Sequence, residues 1–432
     1  MHEIRTKIIA TIGPAIEEES KLLQICHYAD IIRFNFSHEP KKQIKRLSVV
    51  KKIAKNIKKY IITLADLEGP KIRTRNEEQI ELSNNAEYDI SVFGIKERFF
   101  YKMLEEGDLL LLDDGKLKLK MLDRHKFKPL NNYILKPNKT ITIKGKDFPI
   151  SGLTKKDYED LNSLLKADFD AIAMSFVKNG SDVDKLRLIA KDKVIISKIE
   201  TVAAVKNIDE IIEKSDGIMI ARGDLALALD EEKVPTMQRL IINKCIDSSK
   251  PVIVATQMLD SMIMNPTPTR AEINDIYSSV LQGADALMLS GETASGAFPV
   301  ESIKTMYKTI SEAEKHVKYD KVSDNDIKDK IARNAVELAE SYNVPIIAPT
   351  VHGTTPKKIS RQRPKISVYS VTNNEKTFKY LHFFFSLRPI FFNYEPVFKK
   401  IDKIKAKLNV KNAVFVFGYP PGNHNTNTII YI

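Results

Sequence analysis

The sequence predicts an α/β protein built on a (β/α)8 barrel of the TIM type, with a small β-barrel lid domain inserted after the third strand and an α/β domain at the C-terminal end. Three observations carry that expectation. Eight short apolar runs each end in polar or charged residues and alternate with stretches of helical periodicity, the pattern of a closed parallel sheet. Between the third and fourth runs the period changes to that of short alternating strands, broken by Asn-Asn, Asp-Asp-Gly and Lys-Gly. After the eighth run a charged stretch leads into a further α/β segment.

RTKIIATIGPA opens as a buried strand stopped by Gly13-Pro14, and ADIIRFNFSH (Ala29–His38) is a second strand that turns polar at its end. YIITLADLEGP supplies the third. KLLQICHY and QIKRLSVVKKIAKNIKKY lie between them with apolar residues at helical spacing. From Thr74 to Phe148 the alternating pattern marks an all-β insert. AIAMSFV, VIISKIE, DGIMIARGDL, PVIVATQML and ALMLSGETA then add five strands to the first three, which makes the eight that close such a barrel. The expected boundaries are 1–73 and 149–317 for the barrel, 74–148 for the lid and 318–432 for the C-terminal domain, with a linker around Lys315–Lys330.

With 432 residues, 43% of them hydrophobic, the chain is long enough for two or three cores. Cys26 and Cys245 fit no CxxC or CxxH spacing, so a reducing cytoplasm is expected, without a disulfide framework or zinc site. The opening residues place charges where a secretory segment needs an apolar run, and no run reaches the roughly 18 apolar residues of a membrane span. Neither export nor membrane insertion is expected. The formal charge of +12 is scattered over helical faces and not gathered as nucleic-acid binders gather it, so no nucleic-acid partner is expected.

In such a barrel the reacting groups sit where strands pass into the following loops. Run by run, the strands end on Arg33, Asn35, Ser37 and His38; on Asp66, with Arg73 beyond; on Ser175; on Lys198 and Glu200; on Arg222 and Asp224; on Thr256 and Gln257; and on Ser290 and Glu292. Lys198 and Glu200 flank Ile199, so both point to one side of one strand. Asp224 follows one strand later, and with Glu200 it offers hard oxygen donors suited to Mg2+ or Mn2+, with positions left for substrate oxygens. On these residues alone, a Lys-Glu ion pair closing the barrel end explains SKIE equally well.

RTKIIATIGPA, IIRFNFSH, GPKIRT, ISKIE, SDGIMIARGDLA, PVIVATQML, PTPTRAE and ALMLSGETASGAFP follow one another over residues 3–315 in an order and spacing that resemble the pyruvate kinase family. ISKIE, ARGDL, ATQML and LSGETA together make the resemblance specific. It implies a cytoplasmic glycolytic enzyme, commonly a homotetramer, that moves the phosphoryl group of phosphoenolpyruvate onto ADP to give pyruvate and ATP. It implies that Glu200 and Asp224 hold the metal. The backbone around Ala221, Arg222, Gly223 and Asp224 then receives the substrate carboxylate, and Ser175, Lys198 and Thr256 stand beside the substrate. Phosphoryl transfer needs positioning and charge neutralisation, which the resemblance gives to Arg33 and Lys198 with Arg73 assisting. Lys198 also faces the enolate oxygen, and Thr256 relays a proton to carbon through water. Pro14, Asn35, His38, Arg73 and, from the lid, Lys144 match nucleotide-side positions.

Relatives that need K+ hold it with positions matching Asn35, Ser37, Asp66 and the carbonyl of Leu67, and carry a glutamate where this chain has Lys71. The resemblance therefore implies a K+-independent member, in which Lys71, beyond the Gly69-Pro70 bend, supplies the positive charge and Asp66 is paired internally. Leu67 suits that pattern, whereas Glu68 stands where glutamine is more usual. Beyond about residue 340 the resemblance thins. TVHGTTPKKISRQRP keeps Gly353, Thr354, Thr355 and Ser360–Pro364 of a phosphate-binding loop but has His352 for a serine, and Pro420-Pro421 replace a tryptophan-arginine type pair in the closing loop. A phosphorylated effector is expected to act through Gly353–Thr355 with Lys357, Lys358, Arg361 and Arg363. Two other readings share the fold: a different metal-dependent barrel acting on pyruvate or its enolate, which has no use for a lid, and a catalytically silent binding protein. The full set of Arg33, Lys198, Glu200, Asp224 and Thr256 weighs against the second.

Overall fold

The computed structural model describes residues 4–150, 152–317, 324, 326–392, 401–418 and 426–432. The chain begins with β1 (Lys7–Ile12), β2 (Ile31–Asn35) and β3 (Ile62–Asp66). The insert supplies β4 (Ile80–Leu82), β5 (Tyr88–Asp89), β6 (Leu109–Leu112), β7 (Leu117–Met121), β8 (Lys126–Pro129), β9 (Tyr133–Leu135) and β10 (Ile141–Ile143). Then follow β11 (Ala171–Met174), β12 (Val194–Ile199), β13 (Gly217–Ala221), β14 (Val252–Ala255) and β15 (Ala286–Leu289). The C-terminal part holds β16 (Ile346–Pro349), β17 (Val368–Thr372), β18 (Leu387–Phe391), β19 (Val414–Phe417) and β20 (Thr428–Tyr431).

All eight strands expected for the barrel are in it, closed in the order β1-β15-β14-β13-β12-β11-β3-β2. They are apolar on both faces because both faces are covered. Ile9, Ile31, Ile62, Leu64, Ile196, Met219, Ile253 and Met288 fill the interior, while Ile8, Ile32, Ile195, Ile218 and Leu287 pack outward against the helices. An aspartate precedes β2, β11, β13 and β15. Asp30 accepts from the N–H of Ile8 at 3.0 Å, Asp170 from Thr63 at 2.9 Å, Asp216 from Ile195 at 2.8 Å and Asp285 from Val252 at 3.0 Å. The N-terminal end of the barrel is thus pinned as four strand pairs, each with a backbone donor satisfied where the ladder begins.

The insert forms two antiparallel sheets, β10-β6-β7-β8-β5 and β4-β9, around a shared core that includes Phe93, Phe100, Phe127 and Leu119. It also carries a short helix, Arg98–Met103, that the all-β expectation lacked. The C-terminal sheet runs β18-β17-β16-β19-β20, parallel except for β20. Helices Pro299–His316 and Ile327–Ser341 reach into the expected linker and shorten it to about 317–326. Residues 318–323 and 325 of that linker, and Pro420-Pro421 of the closing loop, lie outside the described residues.

The C-terminal domain seals the N-terminal end of the barrel. Phe383 joins the interior core, Tyr380 donates to the Asp216 carbonyl at 2.8 Å, and Arg363 pairs with Asp285 at 2.8 Å. The opposite end faces the lid. Among the described residues no helix is long and apolar enough to cross a membrane.

Candidate active site

The C-terminal ends of β2, β3, β11 and β12 bring four charged side chains together. Arg33 Nε donates to Asp66 Oδ2 at 2.6 Å, and its Nη1 donates to Thr11 Oγ1 at 3.1 Å. Lys198 Nζ donates to Ser175 Oγ at 2.8 Å and lies 3.2 Å from Asp66 Oδ1 and 2.9 Å from Glu200 Oε1. Ser175 in turn donates to the Leu67 carbonyl at 2.7 Å. Burial pushes the Asp66 carboxyl up, but Lys198 and Arg33 together bring it below its ordinary value. Burial likewise works against the Lys198 ammonium, and Asp66 and Glu200 outweigh it, so the group stays charged. Glu200 titrates above the ordinary carboxylate range, chiefly because it is buried; Asp224 adds to the rise and Lys198 opposes it.

Glu200 Oε2 accepts from the Phe176 N–H at 2.8 Å, whereas its buried Oε1 accepts no hydrogen bond. Asp224, at the start of helix Arg222–Ala228, meets Lys71 Nζ at 3.1 and 3.3 Å. Glu200 Oε1 keeps only its ion pair with Lys198 at 2.9 Å, so Glu200 and a second carboxylate from the next strand have oxygen capacity left that fits a hard divalent cation. Among the described residues no group of three His, Cys, Asp or Glu side chains is poised for a metal. Lys71 therefore turns to Asp224; Asp66 is satisfied by Arg33 and Lys198. Phe176 escaped the sequence reading, because a backbone donor and a ring 5.3 Å from the Lys71 ammonium leave no local pattern.

Just past the end of β14, Thr256 and Gln257 have left-handed backbone, with φ of 70° and 53°. Gly223 N–H donates to Thr256 Oγ1 at 2.8 Å, so one of the N–H groups expected to hold a substrate carboxylate is spent on Thr256. Glu292 accepts from Leu259 N–H at 3.1 Å and Ser290 N–H at 2.7 Å, a brace behind the same loop.

Two clefts separate lid from barrel, and helix Arg222–Ala228 lines both. The first, about 640 Å3 with its open mouth included, is lined by Lys71, Glu200 and Asp224 and, from the lid, by Thr140, Asp147 and Phe148. The second, about 1080 Å3, takes in Lys144, Arg222, Gly223, Gln257 and Asp275. The lid is fastened across them. Asp147 accepts from the N–H groups of Val202 at 3.1 Å and Ala203 at 2.6 Å, and Lys144 lies 2.9 Å from Asp230.

A family model described as "Pyruvate kinase, barrel domain" matches residues 3–303, and one described as "Pyruvate kinase, alpha/beta domain" matches residues 329–430. The chain belongs to the pyruvate kinase family. A curated pyruvate kinase of Geobacillus stearothermophilus is 39% identical over 403 residues, covering 86% of this chain and 69% of the relative. One of Sporosarcina psychrophila is 34% identical over 468 residues, 99% of this chain and 80% of its own. One of Staphylococcus aureus (strain MRSA252) is 37% identical over 417 residues, 89% and 71%. Membership makes the chain a phosphotransferase on the barrel and α/β domains described above.

The pyruvate kinase resemblance also assigned residues that lie around this centre and in the C-terminal domain. Arg73 is held by Glu68 at 3.2 Å and the Asn138 carbonyl at 3.4 Å. Pro14 and His38 are exposed on the rim beyond β1 and β2, and Asn35 Oδ1 accepts from Ser37 N–H at 3.1 Å. In the C-terminal domain Lys358 lies 2.9 Å and Arg361 2.8 Å from Asp329, and Arg363 2.8 Å from Asp285. These three cations of the expected effector cluster are thus paired with internal carboxylates. Lys357 packs 5.6 Å from the Tyr380 ring, and Thr355 Oγ1 lies 2.6 Å from Thr426 Oγ1.

Proposed function

We propose that this chain transfers the phosphoryl group of phosphoenolpyruvate to ADP, giving pyruvate and ATP, at the rim where Arg33, Lys198, Glu200 and Asp224 meet. One observation carries the reading: Asp66 fixes two cations, Arg33 at 2.6 Å and Lys198 at 3.2 Å, and the Lys198 ammonium also lies 2.9 Å from the buried Glu200 carboxylate on the wall of the cleft. Cations held in place in advance stabilise a transferring phosphoryl group without reorganisation at the moment of reaction. Lys198 also stabilises the enolate oxygen left behind. Glu200 and Asp224 would hold Mg2+ or Mn2+, which supplies charge neutralisation for substrate oxygens when bound. Thr256, its oxygen oriented by Gly223, relays a solvent proton to the enolate carbon. The substrate carboxylate falls to the remaining N–H groups of Ala221–Asp224, and the nucleotide to the side of Pro14, Asn35, His38, Arg73 and Lys144. We place the enzyme in the cytoplasm as a homotetramer, and leave any phosphorylated effector to the Gly353–Thr355 loop and Lys357. A coupled assay with and without ADP separates this reading from another enolate-forming barrel; pyruvate formation that ignores ADP would overturn it.

The same reading includes K+ independence. Asp66, a ligand of the monovalent cation in K+-requiring relatives, already has two internal cations, and Lys71 brings a further ammonium into the cleft. Rates are expected to be equal in potassium and tetramethylammonium salts at equal ionic strength, and Lys71→Glu is expected to create a K+ requirement. Strong K+ activation of the unaltered enzyme defeats the idea.

A further inference from the structure

β14 ends in a backbone that its own side chains disfavour. Thr256 (φ 70°) is β-branched and Gln257 (φ 53°) is not glycine, and two consecutive left-handed residues of this kind persist only where their surroundings over-determine them. The determinant is Arg222. Its Nη2 donates to the Thr256 carbonyl at 2.8 Å and to the Gln257 carbonyl at 3.1 Å, and its Nε donates to the Thr256 carbonyl at 3.2 Å. Its Nη1 donates to Asp275 Oδ1 at 2.8 Å, which anchors the far end of the guanidinium. Neighbouring Gly223 donates its N–H to Thr256 Oγ1 at 2.8 Å. Residues 222 and 223 thus grip the carbonyl and the hydroxyl of Thr256 from two directions. A planar fork is needed for this, since one ammonium cannot serve two carbonyls and a carboxylate along fixed directions.

We propose that Arg222, through its side chain, is a positioning residue for proton delivery: by fixing the left-handed Thr256–Gln257 turn it aims the Thr256 hydroxyl at the reacting carbon. The inference rests on the reading of Thr256 as the relay. In that step the Thr256 O–H bond breaks as a C–H bond forms at the enolate carbon, and a water proton replaces the one given up; nothing is oxidised or reduced.

The test uses the full chain carrying Arg222→Lys, Thr256→Val or both, with three readouts: exchange of pyruvate methyl hydrogens with solvent in the presence of Mg2+ and ATP, Mn2+ binding, and the thermal midpoint. Arg222→Lys is expected to slow exchange by about tenfold or more while Mn2+ affinity stays within about twofold and the midpoint barely moves. The double variant is expected to be no slower than Thr256→Val alone, because Arg222 acts through Thr256. Unchanged exchange in Arg222→Lys, or single effects that multiply in the double variant, overturns the inference. So does a parallel loss of Mn2+ binding, which would mean that Arg222 holds Asp224 in place. Unchanged exchange in Thr256→Val instead overturns the relay reading beneath it. If Arg222→Lys does not fold, Asp275→Ala frees only the outer end of the guanidinium, and the same non-additivity with Thr256→Val decides.

Discussion

At the N-terminal end of the barrel, Asp285 accepts four hydrogen bonds: from Arg363 at 2.8 and 3.1 Å, from Phe385 N–H at 2.9 Å and from Val252 N–H at 3.0 Å. At the C-terminal end, Glu200 is as deeply buried yet accepts a single one, from Phe176 N–H, with one ion pair to Lys198 at 2.9 Å, and it lines a cleft. Asp170 repeats the first pattern, with Thr63 and Tyr60 donating and Lys379 at 3.3 Å. Both ends bury ion pairs, so buried charge alone does not tell which end reacts. What separates them is bonding capacity left over and turned toward a cleft: a saturated carboxylate can only hold structure, and an unsaturated one still has something to offer a ligand.

The sharpest way to break that comparison is to remove one carboxylate from the saturated end. Asp285→Ala strands the Arg363 guanidinium, 3% exposed, without its counter-charge and removes the acceptor that the Phe385 and Val252 N–H groups share. Breaking such a buried pair costs about 3–5 kcal/mol, read as a fall in the urea midpoint. The kcat of the protein that remains folded is expected to stay near that of the parent. A kcat loss larger than the stability loss would mean that the sealed end takes part in the reaction.

The converse substitution is made at the open end. Lys198→Met is expected to lower kcat on the order of 10²–10³, as removal of one preorganised charge from a reacting oxygen does. Mn2+ binding, followed by its paramagnetic signal, is expected to persist because Glu200 and Asp224 remain. A variant that keeps more than about a tenth of the parent kcat would remove Lys198 from the electrostatic role given to it.

Much of this contrast could be read in the sequence, for a physical reason. Parallel strands covered on both sides are continuous apolar runs, so the few side chains that must meet a ligand interrupt them at one end, and Arg33, Asp66, Lys198 and Glu200 stand out there. The saturated end was not legible. Asp30, Asp170, Asp216 and Asp285 each look like a turn residue until the neighbouring strand they cap is known. The helix Thr354–Arg361 reads as a basic surface open to phosphates, because its carboxylate partner Asp329 and, just beyond its end, the partner of Arg363 come from other elements. Phe176 and Asp275 were invisible for the same reason: one acts through its backbone, the other through a distant guanidinium.

The smallest expected effect sharpens the comparison by pH. His382 lies on the sealed seam, its Nδ1 2.8 Å from the Phe378 carbonyl and its ring 4.7 Å from that of Phe378 and 5.2 Å from that of Tyr60. Burial brings its pKa down to about 4; Lys7 pushes the same way, and the Phe378 carbonyl, Asp30 and Asp170 oppose it. An unfolded histidine titrates near 6.5, roughly, so between about pH 6.5 and the folded value the unfolded chain binds a proton that the folded chain refuses. Stability is therefore complete above about pH 6.5 and falls as the pH drops toward the folded pKa, the reverse of what a histidine with an acidic partner would give. Discounted for the partial exposure of the ring, the loss is on the order of 2 kcal/mol. Carboxylates titrate in the lower part of the same window, so the measurement is the difference between the parent and His382→Phe in urea midpoints at about pH 7 and about pH 4.5. The variant is expected to lose less stability on acidification than the parent. Parallel losses would mean that the imidazole takes up its proton within the folded seam, and that this part of the sealed end is open to water after all.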